Sequence, residues 1–238
     1  MTDKWLRAAA RNNAEWCDEM CRAHGIQGTF AESFWSSPRR TPVLYPDAVT
    51  LTPAASPDDV LAAIDHASPE PSVKDSFDRL DLRDAGFHVL FEAQWILRPP
   101  GPGRSLDELR AITGDPITWG PITTEADLRD WDRNCHTGYD GVLFPAGLLT
   151  DPAVTVLAGR IDGDIVCGSV LNTSGEVVGV SNIFASGCDE YAPWEGTVAM
   201  ASTLFPDRPM VGYERPDDLA ASLHQGFTPI GPLRIWLR

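Results

Sequence analysis

The chain has 238 residues, 43% of them hydrophobic, eight Trp and a formal net charge of −15. That length can bury a sizeable core as one large domain or two small ones, and no apolar stretch approaches the roughly 18 residues that a membrane span requires. The acidity disfavours nucleic acid and anionic membrane as partners; it serves solubility and would favour a small-molecule amine or a basic peptide.

The first segment, MTDKWLRAAARNNAEWCDEM, reads as a mixed-charge amphipathic helix without the apolar core and cleavage site of a secretory signal, so a cytoplasmic location is expected. Five Cys without regular spacing point to reduced thiols and not to a disulfide framework. The helix runs to Gly25, a fitting C-terminal cap. A loop region follows, then a short strand VLYPDAVTL, a helix DDVLAAIDHA started by Ser56-Pro57, a helix FDRLDLRDAGF closed by Gly86, and a strand HVLFEAQWILR. RPPGPGR (98–104) can continue neither helix nor strand, which divides the chain into modules 1–103 and 104–238.

The second part opens with ITWGPITTEADLRDWDRNC, a strand and then a helix capped by Thr123 or Thr124. Three β-rich runs follow, separated by Asp162-Gly163-Asp164 and by Asn172-Thr173-Ser174-Gly175, which makes an antiparallel meander. The first of these turns is read as a tight turn and not as a metal loop. The chain closes with a helix WEGTVAMASTLF, a strand PMVGYE, a helix PDDLAASLHQ capped by Gly226, and a strand FTPIGPLRIWLR. Within this part, VVGVSNIFASGCDEYAPWEG has the strand, glycine turn and helix that in many enzymes cradle a phosphate. Its turn nevertheless carries Asp189 and Glu190, acids where a phosphate site wants Lys or Arg.

This order of elements, with the ending "helix, Gly226-Phe227, strand", resembles the GNAT acyltransferase superfamily over residues 117–238. The first part carries a fainter copy of that ending. Gly86-Phe87 matches Gly226-Phe227, and Trp95 to Arg98 matches Trp236 to Arg238. The resemblance implies two GNAT-like modules in tandem, the first truncated and without a recognisable meander. The expected fold is α+β or α/β, a mixed, mainly antiparallel sheet flanked by helices.

The activity so implied is transfer of an acetyl or other acyl group from acetyl-CoA or another acyl-CoA to an amine. The alternative is a GNAT-like binding or regulatory module with a degenerate coenzyme site and no catalysis. In the resemblance, Val180, Ser181, Asn182 and Ile183 offer backbone groups to the pantetheine arm, and Gly187 and Cys188 lie in the turn whose amides hold the pyrophosphate. That turn lacks the family's usual pattern (Arg or Gln, two residues, Gly, one residue, Gly or Ala), and no Lys or Arg occurs between Arg160 and Arg208. Phosphates there would meet Asp189, Glu190 and Glu195, with cations available only from Arg215, Arg234 or another subunit. Where the family often has a Tyr acid, this chain has Ser222. Tyr213 and Glu214 are the candidate catalytic pair: the carboxylate to take a proton from the amine, the phenol to protonate the leaving thiolate.

Other constellations weigh less. Cys17, Cys21 and His24 have helical spacing but no fourth ligand nearby, and no metal is expected. Cys135 and His136 are neighbours on one expected helix and should point about 100° apart, the wrong geometry for a nucleophile and its base. His224 suits the last turn of its helix. Trp119, Trp131 and Trp194 are read as core.

Overall fold

The architecture is that of a computed structural model describing residues 2–114 and 116–238. Its helices are α1 (Thr2–Ala23), α2 (Pro57–Ala62), α3 (Leu106–Thr113), α4 (Glu125–Cys135), α5 (Ala192–Leu204) and α6 (Leu219–His224). Its strands are β1 (Thr29–Phe30), β2 (Phe34–Ser36), β3 (Ala48–Thr50), β4 (Ser72–Asp75), β5 (His88–Arg98), β6 (Thr118–Pro121), β7 (Val154–Ile161), β8 (Asp164–Ser174), β9 (Val177–Ala185), β10 (Met210–Glu214) and β11 (Thr228–Leu237). The chain forms two compact units. One comprises the residues up to 96 with 213–217 and 229–238; the other comprises 97–212 and 218–228. The sequence boundary at 103 is therefore not colinear with the units, because the first takes back the last strand.

In the first unit the strands run in the order β1-β2-β3-β4-β11-β5. β1, β2 and β3 pair antiparallel, β3 and β4 parallel, and β4 and β11 antiparallel. α1 buries Ala10, Ala14, Cys17 and Cys21 on one stripe, and the Ile26 amide bonds back to the Cys21 carbonyl around Gly25, whose φ is +71°. The core gathers Phe34, Ala48, Val60, Ile64, Val73, Leu82 and Phe87 around the fully buried Trp236, which β11 supplies. Beside this core Asp47 is completely buried. It accepts hydrogen bonds from Arg40, the Thr41 amide and hydroxyl, and the Ser72 amide.

The expected loop region after α1 instead holds β1 and β2, so the first part has a meander after all, in strands too short to show a period. VLYPDAVTL contributes only Ala48–Thr50, and SVKD, unforeseen, is β4. FDRLDLRDAGF is not an α-helix. The Asp75 carboxylate accepts from the amides of Phe77, Arg79 and Leu80, offering this backbone an alternative to helical bonds, and only a short 3-10 turn, Arg83–Ala85, forms before Gly86.

The second unit has the order β10-β9-β8-β7-β6, antiparallel from β6 to β9 and parallel between β9 and β10. The first hairpin turns on Asp162 and Gly163, both at positive φ. The second turns on Gly175 and Glu176, with Asn172 to Ser174 still inside β8. Trp131 of α4 lies against Gly168 while Thr197 of α5 donates to Ser169 at 2.7 Å, so the two helices cover opposite faces of β8. α4 is capped by Thr124. α3, also unforeseen, starts at Ser105 with a reciprocal Ser105–Glu108 capping box.

The same order of parts occurs in both halves: a meander, a helix (α2 or α5), a parallel strand (β4 or β10), then a turn through Gly-Phe into a long strand. Gly86 and Gly226 both have φ of +83°, and the amides of Phe87 and Phe227 bond back to Leu82 and Ser222, each at 3.2 Å.

Candidate active site

β9 pairs with β10 only through Val178 and Gly179, opposite Met210 and Val211. From Val180 onward its described ladder is with β8 alone: Val180 opposite Leu171, Ser181 opposite Val170, Phe184 opposite Gly168. The register slips between Gly168 and Val170, and Asn182 absorbs the slip at φ +51°. Val180, Ser181, Asn182 and Ile183 therefore lie on a bulged strand that has parted from its parallel neighbour. Val180 is buried, the other three are half-buried, and the covered Ser181 hydroxyl has no hydrogen-bond partner.

The turn that follows is tied back on itself. The amides of Ser186 and Gly187 both donate to the Val166 carbonyl, at 2.8 and 3.2 Å, and the Cys188 thiol points at the same oxygen at 3.7 Å. Asp189 serves the turn itself. Its carboxylate accepts from the Tyr191 amide at 2.9 Å, its carbonyl accepts from the Ala192 amide, and the next residue, Pro193, has no N–H at all. Four of the turn's amides, those of Ser186, Gly187, Tyr191 and Ala192, are thus engaged within the protein, and a diphosphate there would meet them beside an acid.

The two nominated cations fall in the first unit and are engaged there. Arg234 pairs with Asp78 at 2.8 Å and with Glu92 at 3.0 Å, and Arg215 stacks on Phe91 at 4.4 Å. Tyr213 and Glu214 also belong to the first unit, both half-buried at the end of β10. The Tyr213 ring meets Trp95 edge-on at 5.6 Å and lies under the Lys74 ammonium at 4.1 Å. Ser222 is buried and donates to the Leu219 carbonyl, so its hydroxyl is committed to the helix backbone. Trp131 and Trp194 are core, whereas Trp119 is half-buried and lies across Gly196 of α5. Cys17 and Cys21 are buried and His24 is exposed, so the three do not converge.

One constellation overturns the sequence expectation. His136 is the C-cap of α4, with φ −120° and ψ 57°, and so leaves the helical path. Its ring swings back. Nδ1 lies 2.9 Å from Asp132 Oδ1, and Nε2 lies 3.6 Å from Cys135 Sγ. The 100° separation would have held only if both residues had stayed helical. Asp132 is buried and also accepts from the amides of Leu143 and Phe144 at 2.9 and 3.0 Å. Burial pushes its carboxyl up, but the bonds from His136, Phe144 and Leu143 outweigh this and hold it below the usual range. The Cys135 thiol also points at the carbonyl of Asn182, 3.8 Å away, which places this group beside the bulge of β9. The only sequence signal was the spacing Asp132, Cys135, His136 at a helix end. Tyr191, edge-on to His224 at 5.7 Å, was not singled out at all.

A meander, a bulged strand that parts from its parallel neighbour, and a Gly-Phe return strand make this the fold of the GCN5-related N-acetyltransferases. The solved structures similar to it bear that out. A GCN5-related N-acetyltransferase from Kribbella flavida superposes with a TM-score of 0.62 at 14% identity, covering 96% of this chain and 95% of its own. A protein from Novosphingobium aromaticivorans assigned to the GNAT family gives 0.57 at 12% identity, over 93% and 94%. A conserved protein of unknown function from Staphylococcus epidermidis gives 0.54 at 12% identity, over 86% and 83%. No protein-family model and no curated protein sequence matches the chain. Among the described residues no helix is long and apolar enough to cross a membrane.

Proposed function

We propose that the chain transfers an acyl group from an acyl thioester of the coenzyme A kind to an amine, in the cytoplasm, and that it is a duplication of one GNAT-like module. The observation that carries the reading is the parting of β9 from β10 after Gly179, with a bulge at Asn182, because this frees the edge of one strand to bond an extended, amide-bearing arm. With the amides of residues 186, 187, 191 and 192 engaged within the protein, recognition falls on the pantetheine arm and the acyl group more than on the diphosphate. The acids Asp189 and Glu190, both exposed, favour a cationic acceptor, a small amine or a basic peptide. For transfer straight from the thioester to the amine, Glu214 and Tyr213 remain our proposed base and acid.

The spent loop also supports a second reading, a binding module of this fold without catalysis. Calorimetric titration with acetyl-CoA and with S-acetylpantetheine separates the possibilities. Similar affinities for the two are expected; a much tighter acetyl-CoA would show that the phosphates are held, and binding of neither leaves the module without a thioester. If transfer is found to be direct, Glu214→Gln should lower turnover by about 10²–10⁴-fold while leaving thioester affinity unchanged.

A further inference from the structure

Cys135 is a largely covered thiol with a base beside it. It is half-buried, and its sulfur faces two acceptors, His136 Nε2 at 3.6 Å and the Asn182 carbonyl at 3.8 Å. An ionised carboxylate only accepts, so Asp132 at 2.9 Å requires a proton on Nδ1, and in the neutral ring the lone pair then sits on Nε2, aimed at the sulfur. The ring is held in that orientation by Phe144, stacked at 5.4 Å, and Trp131, edge-on at 6.5 Å. Asp132 is itself fixed by the Leu143 and Phe144 amides. The order carboxylate, imidazole, nucleophile is that of a nucleophilic triad, recognised by geometry and not by sequence position.

We propose that Cys135 is a nucleophile that takes an acyl group covalently before the amine receives it, with His136 as its base and Asp132 as the residue that positions the base. The inference rests on the acyl-transfer reading above for its physiological donor. The Cys135 Sγ–H proton passes to His136 Nε2 as the sulfur bonds to the donor's carbonyl carbon. The donor's acyl–sulfur bond then breaks, and the departing thiolate takes the proton from Nε2. Donor thioester and cysteine thiol become acyl-cysteine and donor thiol. The amine next adds to the acyl carbon and gives its proton to Nε2; Sγ leaves with that proton, and the amide is released. Burial and the Asp132 charge push the Cys135 thiol well above its usual range, so the resting group is a neutral thiol whose proton must move with the attack. His136 is the only base the described contacts bring to the sulfur.

Cys188 is also half-buried and serves as the internal reference. Treat the full chain with iodoacetamide at neutral pH, then map the cysteines by peptide mass. Cys135 should react faster than Cys188, and His136→Asn should slow it by about 10²-fold or more while leaving Cys188 unchanged. p-Nitrophenyl acetate, which needs no coenzyme site, should place one acetyl group on Cys135 of the wild-type chain. That arm requires no variant, so a misfolded His136→Asn protein does not spoil the test. Equal alkylation rates in the wild type and in a folded His136→Asn protein, or acetyl found only away from Cys135, overturn the inference. Undiminished amine acetylation from S-acetylpantetheine by Cys135→Ser also overturns it, and leaves the acyl-transfer reading standing. Acetylated Cys135 in a chain that binds neither thioester does the reverse: the nucleophile stands and the proposed donor falls.

Discussion

Asp132 does two jobs, and two substitutions pull them apart. Its carboxylate receives His136 Nδ1–H on one oxygen and the Leu143 and Phe144 amides on the other. Asp132→Ala strands both amides in a buried place, at about 1–3 kcal/mol each, and removes a charge-assisted bond to the imidazole, for a total of about 3–5 kcal/mol. Against a typical domain stability of about 5–15 kcal/mol that is a large share. Asp132→Asn behaves differently. Its carbonyl can keep the two amides while its NH₂ faces Nδ1, so the loss should be about 1–2 kcal/mol. The NH₂ group also forces the imidazole proton from Nδ1 to Nε2, which then presents an N–H to Cys135 in place of a lone pair. The Asn protein should therefore be folded and nearly as stable as the wild type, yet lose the fast alkylation of Cys135. The pH dependence carries the same signature. The folded carboxyl lies below its unfolded value, so its stabilisation is present above about pH 4 and is lost as the pH falls through the folded value. The Asn variant should lack that part of the acid slope. Urea unfolding across pH, with iodoacetamide mapping on the same samples, checks both. An Ala variant within about 0.5 kcal/mol of wild type, or an Asn variant with unaltered Cys135 reactivity, would refute the assignment of these bonds.

In the first unit, Asp47→Ala removes the acceptor of Arg40 and of the Thr41 and Ser72 amides from a fully buried position, and urea unfolding should show a loss of about 3–5 kcal/mol. In the second, a methyl group at Gly196 would overlap the Trp119 indole, which approaches the helix there; Gly196→Ala should cost about 1–3 kcal/mol by thermal melting, and Trp119→Ala in the same chain should relieve the clash.

What could be read from the sequence is what has a period or a punctuating residue. The meander of β7 to β9 shows alternation and turn residues, Gly25, Gly86 and Gly226 mark chain reversals at positive φ, and Thr124 caps α4. β1 to β3 are two or three residues long, too short for any period to be visible. β4 hides for a different reason: its Lys74 and Asp75 are both buried, Lys74 donating to Asn13 and Asp75 receiving three amides, so it does not look apolar. The candidate site divides along the same line. The acid turn was legible as a mismatch, since Asp189 and Glu190 stand in the sequence where a phosphate site wants cations. That Asp189 binds its own loop needed coordinates. Cys135 and His136 were set aside because helical geometry was carried one residue too far; a C-cap obeys no helical angle, and neighbours there can converge.

The Gly-Phe endings pair in a way that the linear repeat does not suggest, and this yields a last prediction. Arg98, at the end of the first long strand, belongs to the second unit, where it bonds the Gln225 carbonyl next to Gly226. Arg238, at the end of the second, belongs to the first unit, where it packs against Gly86 and bonds the His66 carbonyl. Each unit is thus finished by the end of a strand grown from the other half of the sequence. For the first unit the contribution is large. Residues 234–237 supply the antiparallel partner of β4, and Leu233, Ile235 and Trp236 are buried in it. Losing one such Trp alone typically costs about 3–5 kcal/mol. A chain ending at residue 228 should therefore lose order in residues 2–96, more than a hundred residues away in sequence, while the meander of β7 to β9, which has no strand from that segment, keeps its protection. Hydrogen exchange read by peptide mass distinguishes the two regions. Full protection of β3 and β4 in the shortened chain would show that the first unit closes without the returned strand, and that the exchange of ends is not what holds it together.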